Sequence, residues 1–123
     1  MKLEVIDGAF SICRVPDFSE VRWDVPYTFT AATDTERSLV CPVSAVPPRT
    51  LAREDGWRML RVAGTLDFSL TVILSRLAGA LAACGVAVFA VSTFGTDYLL
   101  TRQAQFARAL AALEQDGHTV IRL

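Results

Sequence analysis

Hydrophobic and polar positions are most legible in the second half of the chain. Trp57 to Gly64 (WRMLRVAG) has the apolar, β-branched character of a strand, and Leu66-Asp67-Phe68-Ser69 follows it, where Asp67 or Ser69 can cap a helix. From Leu70, the spacing of Ile73, Leu74, Leu77 and Leu81 predicts a helix that stops at Gly85, the residue type expected just past a helix end. Val86 to Thr101 (VAVFAVSTFGTDYLLT) reads as two strands meeting at Phe94-Gly95. Gln103 to Asp116 then carries Phe106, Leu110 and Leu113 on one stripe and ends at Gly117, and His118 to Leu123 closes as a strand. The order is βαββαβ, which predicts an α+β fold of the ferredoxin-like kind, an antiparallel sheet under two helices.

The first half is less regular. Leu3 to Ile6 and Ala9 to Val15 flank Asp7-Gly8, a two-residue hairpin signal, and Tyr27 to Ala31 and Ser38 to Val43 read as two further strands. Between them Thr33 to Arg37 (TDTER) predicts one helical turn. Pro47-Pro48 and the polar stretch Arg49 to Gly56 interrupt the pattern. The expected organisation is therefore a reduced, strand-rich subdomain over 1–48, a linker over 49–56 and the βαββαβ unit over 57–123.

Side-chain alternation across the Phe94-Gly95 turn places Val86, Val88 and Leu99 on one face and Phe89, Tyr98 and Leu100 on the other. A half-solvated antiparallel sheet should instead alternate apolar with polar. Both faces are thus expected to be covered, one by the helices and the other by the N-terminal half or a second chain. The turn is polar all the same: Ser92, Thr93, Thr96 and Asp97 surround it.

Composition narrows the function. With 52% hydrophobic and 20% charged residues among 123, the chain is long and apolar enough for a packed core. Leu70 to Val91 is broken by Ser75, Arg76 and Gly85, short of the roughly 20 apolar residues that span a bilayer, so no membrane partner is expected. MKLEVIDG carries Glu4 and Asp7 where a signal peptide would be apolar, and the expected compartment is the cytoplasm. A net charge of −1 with dispersed cations argues against a nucleic-acid partner. Cys13, Cys41 and Cys84 lie far apart in apolar surroundings and His118 has no ligand-spaced neighbour, which points to reduced core thiols and no metal or other cofactor. No phosphate loop, HExxH motif or nucleophile near the histidine is present, so no catalytic residues are assigned and no enzyme is expected.

The run from Trp57 to Thr101, above all LDFSLTVILSRLAGALAACGVAVFAVSTFGTDYLL, together with AATDTERSLVCP at Ala31 to Pro42, resembles the ACT domain family, in particular small tandem ACT-like proteins related to aspartate kinase and CASTOR-type amino-acid-sensing regulatory domains. That resemblance implies a non-catalytic regulatory sensor, a free amino acid as ligand at an interface between ACT-like units, and a homodimer or higher oligomer with a regulated protein partner. The ligand carboxylate suits the free N–H groups where the helix begins, which brings in Asp67, Phe68, Ser69, Leu70 and Thr71. The ammonium suits Asp97, with Ser92, Thr93 and Thr96 adding hydrogen bonds. Val72 stands where the resembled units often carry glycine, and a β-branched side chain narrows the approach. The alternative is a ligand-free interaction module, in which Asp67 or Ser69 is only a helix cap and Asp97 and the threonines only satisfy turn backbone.

Overall fold

The computed structural model describes residues 1–63 and 70–122. Among them are strands β1 (Lys2–Arg14), β2 (Phe29–Ala32), β3 (Arg37–Pro42), β4 (Ala52–Ala63), β5 (Phe89–Ser92), β6 (Asp97–Arg102) and β7 (Thr119–Arg122). The helices are α1 (Leu70–Ala83) and α2 (Phe106–Gln115), with single helical turns at Val43–Ala45 and Gln103–Gln105. This is a mixed α/β fold dominated by sheet. The chain divides into two compact units, Gly8–Trp57 and a second made of Met1–Asp7 with Arg58–Leu123.

In the second, helical unit, the strands run in the order β7, β1, β4, β6, β5. β1 and β7 are parallel, with Lys2 opposite Thr119 and Val5 opposite Arg122. A ferredoxin-like order would set β7 directly beside β4, but the N-terminal strand stands between them. The physical reason lies in its alternation: Leu3 is fully buried in the core under the helices and Val5 packs against the same core, so this strand completes the apolar face. Leu77 and Leu81 of α1 and Phe106, Leu110 and Leu113 of α2 fill that core, as their spacing predicts.

Both helices end as the glycines anticipate. Gly85 and Gly117 have φ of 73° and 91°, a left-handed conformation that costs a residue with a Cβ. Val86 N–H donates back to Leu81 O and Gly85 N–H to Ala82 O; His118 and Gly117 repeat the pair on Leu113 and Glu114. Carbonyls that would be orphaned at each helix end are thereby satisfied.

In the Gly8–Trp57 unit the strand order is β2, β3, β1, β4. Its core is Cys13, Val15, Leu39 and Cys41, covered by Val21 from an irregular segment and by Ala45 from the helical turn Val43–Ala45. Three local expectations are corrected here. Asp7-Gly8 is no hairpin: β1 runs through it, with Gly8 at φ 94°, because the residues before and after have different long-range partners, β7 and β3. Thr33 to Arg37 makes no helical turn but closes the β2–β3 hairpin, since Thr33 N–H bonds Glu36 O. Ala52 to Gly56, read as linker, opens β4.

The two hairpins, β2–β3 and β5–β6, are closed in the same way. Thr93 N–H bonds Thr96 O, and Thr96 N–H returns to the Thr93 hydroxyl rather than to its carbonyl. Thr33 and Glu36 do the same. No residue in either two-residue loop has a positive φ, so the threonine hydroxyl supplies the second closing bond that a left-handed turn would take from backbone.

Candidate functional site

The polar tip of the β5–β6 hairpin is internally bonded. Ser92 lies opposite Asp97 in the ladder, and its hydroxyl donates to Asp97 Oδ1. Asp97 is only 1% exposed. The Thr93 hydroxyl donates to Thr96 O at 3.1 Å, and the Thr96 hydroxyl crosses to β4 and donates to Val62 O. The four predicted residues are thus together, and Thr96 ties them to the end of β4 that leads toward α1. Asp67, Phe68 and Ser69 lie outside the described residues. Leu70, Thr71 and Val72 open α1, and their side chains lie outside what is described.

Away from the tip, β6 is buried on successive residues, Leu99 and Leu100, so both of its faces are covered as the alternation predicts. β5 is the edge of its unit and is not: Phe89 is 36% exposed and Phe94, in the turn, fully so.

A second constellation was not anticipated. An open groove of about 570 Å³ lies on the helical unit, with Val5, Phe106 and Leu110 as its apolar wall and Asp7, Arg58 and Gln103 among its polar groups. The Arg58 guanidinium lies over the Phe106 ring, 4.5 Å from its centre, a contact worth about 0.5–2 kcal/mol. Its Nε is buried and has no hydrogen-bond partner among the described residues, which costs about 1–3 kcal/mol where nothing else satisfies it. Glu114 and Arg122 form a long ion pair of 3.9 Å along the rim. Sequence spacing hides this site because it draws on β1, β4, β7 and α2.

The family model of the ACT domain matches residues 52–115, from the start of β4 to the end of α2. The chain belongs to the ACT domain family. No curated protein matches it in sequence. Among solved structures, an Agobacterium tumefaciens protein is similar over 99% of this chain and 92% of its own, at 25% identity and a TM-score of 0.89. A Vibrio cholerae protein described as a possible transport protein is 14% identical, covering 93% of this chain and 88% of its own with a TM-score of 0.68. The aspartate kinase of Clostridium acetobutylicum is 11% identical with a TM-score of 0.63; the likeness covers 87% of this chain and 32% of the kinase. The last two likenesses concern fold alone.

The ACT match contains the hairpin tip and the Arg58–Phe106 contact, while Asp7 and Arg122 lie outside it. Elsewhere in this ACT protein, Asp116 is held by His118 Nε2 at 3.0 Å and Arg76 Nε at 3.3 Å, and these two contacts, the histidine first, lower its carboxyl below the usual range. Asp55 is lowered likewise by Arg53 and by the Ser11 hydroxyl. Burial pushes the Cys41 thiol up to about 11 and raises Cys13. Among the described residues no group of His, Cys, Asp and Glu is placed to hold a metal ion, and no helix is long and apolar enough to cross a membrane.

Proposed function

We propose that this ACT protein is a non-catalytic regulatory sensor that binds a free amino acid at the end of the helical unit where the β5–β6 hairpin tip and the start of α1 supply the contacts. The observation that carries the reading is the ACT match over residues 52–115. The Clostridium kinase whose fold it shares is described as an allosteric enzyme, which supports a regulatory role here. The chemistry is consistent with an α-amino acid. The first N–H groups of any helix lack intrahelical acceptors and suit a carboxylate, with Asp67, Phe68, Ser69, Leu70 and Thr71 as the proposed segment. An ammonium offers Asp97 a charge-assisted bond stronger than the neutral Ser92 hydroxyl, and can take its place, leaving Ser92, Thr93 and Thr96 to bond the ligand or the turn.

Thermal unfolding of the purified protein against the twenty amino acids tests this. At least one should raise the midpoint increasingly between micromolar and millimolar concentrations, and Asp97→Asn should weaken that ligand about tenfold or more. No shift with any amino acid at millimolar concentration would sink the reading. A ligand-free assembly module is the second reading, favoured by the exposed Phe89 on an edge strand and the exposed Phe94 in the turn that follows it. In that case a second copy pairs along β5, and Phe89→Lys lowers the mass seen by sedimentation while no amino acid shifts the midpoint.

A further inference from the structure

In the Gly8–Trp57 unit, residues 15–28 join β1 to β2 with neither helix nor strand, whereas the step from β4 to β5 in the helical unit is made by α1. Irregular connections of this length, about 12–15 residues, are uncommon in compact domains and serve mostly as lids or binding loops. This one packs Phe18, Val21 and Val25 over Cys13, Leu39 and Cys41. The two thiols share one face of the sheet, since Cys13 lies opposite Leu39 in the ladder and Cys41 is the next residue of β3 on that face. Both are buried, and burial raises both thiols.

The segment above them is lightly held. Between Phe18 and Val25 its described backbone bonds are internal, from Val21 N–H to Phe18 O and from Val25 N–H to Arg22 O, each 3.2 Å. Trp23, its largest side chain, is 63% exposed and so adds little burial to keep it in place. Two exposed ion pairs fasten its outer edge: Arg49 Nε meets Glu20 Oε1 at 3.0 Å, and Arg49 Nη2 meets Asp17 Oδ2 at 3.5 Å. Toward the other end Tyr27 has φ of 64°, an outlier for a bulky side chain, and that backbone cost is regained when the segment swings away. A few apolar contacts, a surface latch and a strained joint are the features of a segment that opens locally, well below the free energy of global unfolding.

We propose that residues 16–27 are a lid, latched by Arg49 and hinged at Tyr27, whose opening admits small thiol-reactive molecules to Cys13 and Cys41 while the rest of the fold stays intact. Closed, the lid keeps both thiols dry. Open, it lets water reach them, and the Arg53 guanidinium then favours the thiolate with less burial to oppose it.

Dithiodipyridine tests this on the whole chain. A thiolate attacks one sulfur of the probe, the probe's S–S bond breaks, and thiopyridone leaves as the mixed disulfide forms. Its absorbance gives the rate, and peptide masses give the site. The openings are rare, so a brief alkylation leaves both thiols unmarked and a faster reagent is needed to count them. Cys84, which is exposed, should react at once. Cys13 and Cys41 should follow slowly, at rates nearly flat in low urea, because a local opening exposes little surface. Arg49→Ala should raise both slow rates by about two- to tenfold and leave Cys84 unchanged. Val21→Ala, which removes an apolar contact of the lid, should raise them further. Slow rates that climb in low urea with the full slope of global unfolding overturn the proposal, since whole-molecule unfolding then supplies the exposure. So does a complete lack of reaction at Cys13 and Cys41 below the unfolding transition, or a pair of slow rates that Arg49→Ala leaves as they were.

Discussion

At the scale of single residues, the three cysteines are set apart by burial. Cys84 is exposed, whereas Cys13 and Cys41 are buried and their thiols raised, Cys41 to about 11. Since the thiolate is the reactive form, iodoacetamide at pH 8 should modify Cys84 alone in the native protein and all three in denaturant, as read by mass. The raised thiol also has a thermodynamic side. Its stabilising effect is complete below its unfolded value near 9 and declines as pH rises through the window up to about 11. The acid side is governed by carboxyls lowered in the folded state. Asp116 and Asp55 contribute stability above their unfolded values near 3.8, lost as pH falls through the lower folded values. Urea midpoints should therefore fall between pH 5 and pH 3, and Asp116→Asn should flatten that slope; an unchanged slope would exclude the His118 and Arg76 contacts as its source. The buried setting of Cys13 and Cys41 was legible in sequence, whereas Cys84, expected in the core with them, is exposed because it follows the last turn of α1. The Asp116 cluster was not legible, since Arg76 reaches it from another helix.

The elements followed sequence wherever the deciding interactions were local. α1, α2 and the β5–β6 hairpin are set by spacing, helix-ending glycines and a two-residue loop, all read within a few residues. Gly8 shows the limit. The same glycine conformation that closes a tight turn also sits inside a long strand, and only the distant partners β3 and β7 choose between them. Thr33 to Arg37 failed for a related reason: its polar residues suit a helical turn as well as a hairpin loop, and the pairing of β2 with β3 decides. The glycines themselves are separable by experiment. Gly117→Ala should lose about 1 kcal/mol because its backbone is left-handed. Gly79→Ala, inside α1 with open space around the added carbon, should gain about 0.5–1 kcal/mol. Opposite signs in denaturant titrations are the outcome expected, and matching signs would contradict the assigned conformations.

For the molecule as a whole, the ACT assignment was within reach of the sequence because the family's matched stretch is contiguous. The place of Met1–Asp7 was not. These residues belong with Arg58–Leu123, and nothing local in KLEVID names its neighbours, although its alternation does mark a strand. The groove stayed hidden for the same reason, being assembled from residues as far apart as Val5 and Arg122. A chain beginning at Gly8 should thus lose far more than its few residues suggest, because Leu3 and Ile6 are buried and β7 loses its strand neighbour. Broad, non-cooperative thermal unfolding of that chain is the expected result, and a sharp transition near the full-length midpoint would refute the role given to the first strand.

That parallel pairing of β1 with β7 also sets a timetable for biosynthesis. The stretch around Leu3 is made well over a hundred residues before Thr119 to Arg122, so of its two neighbours in the helical unit, β4 and β7, the second is added last. Until then a nascent chain carries this apolar strand with one edge unpaired, the kind of segment that invites chaperones or a neighbouring nascent chain. Nascent polypeptides stalled before residue 119 should accordingly be held by chaperones more avidly than those released with β7 complete.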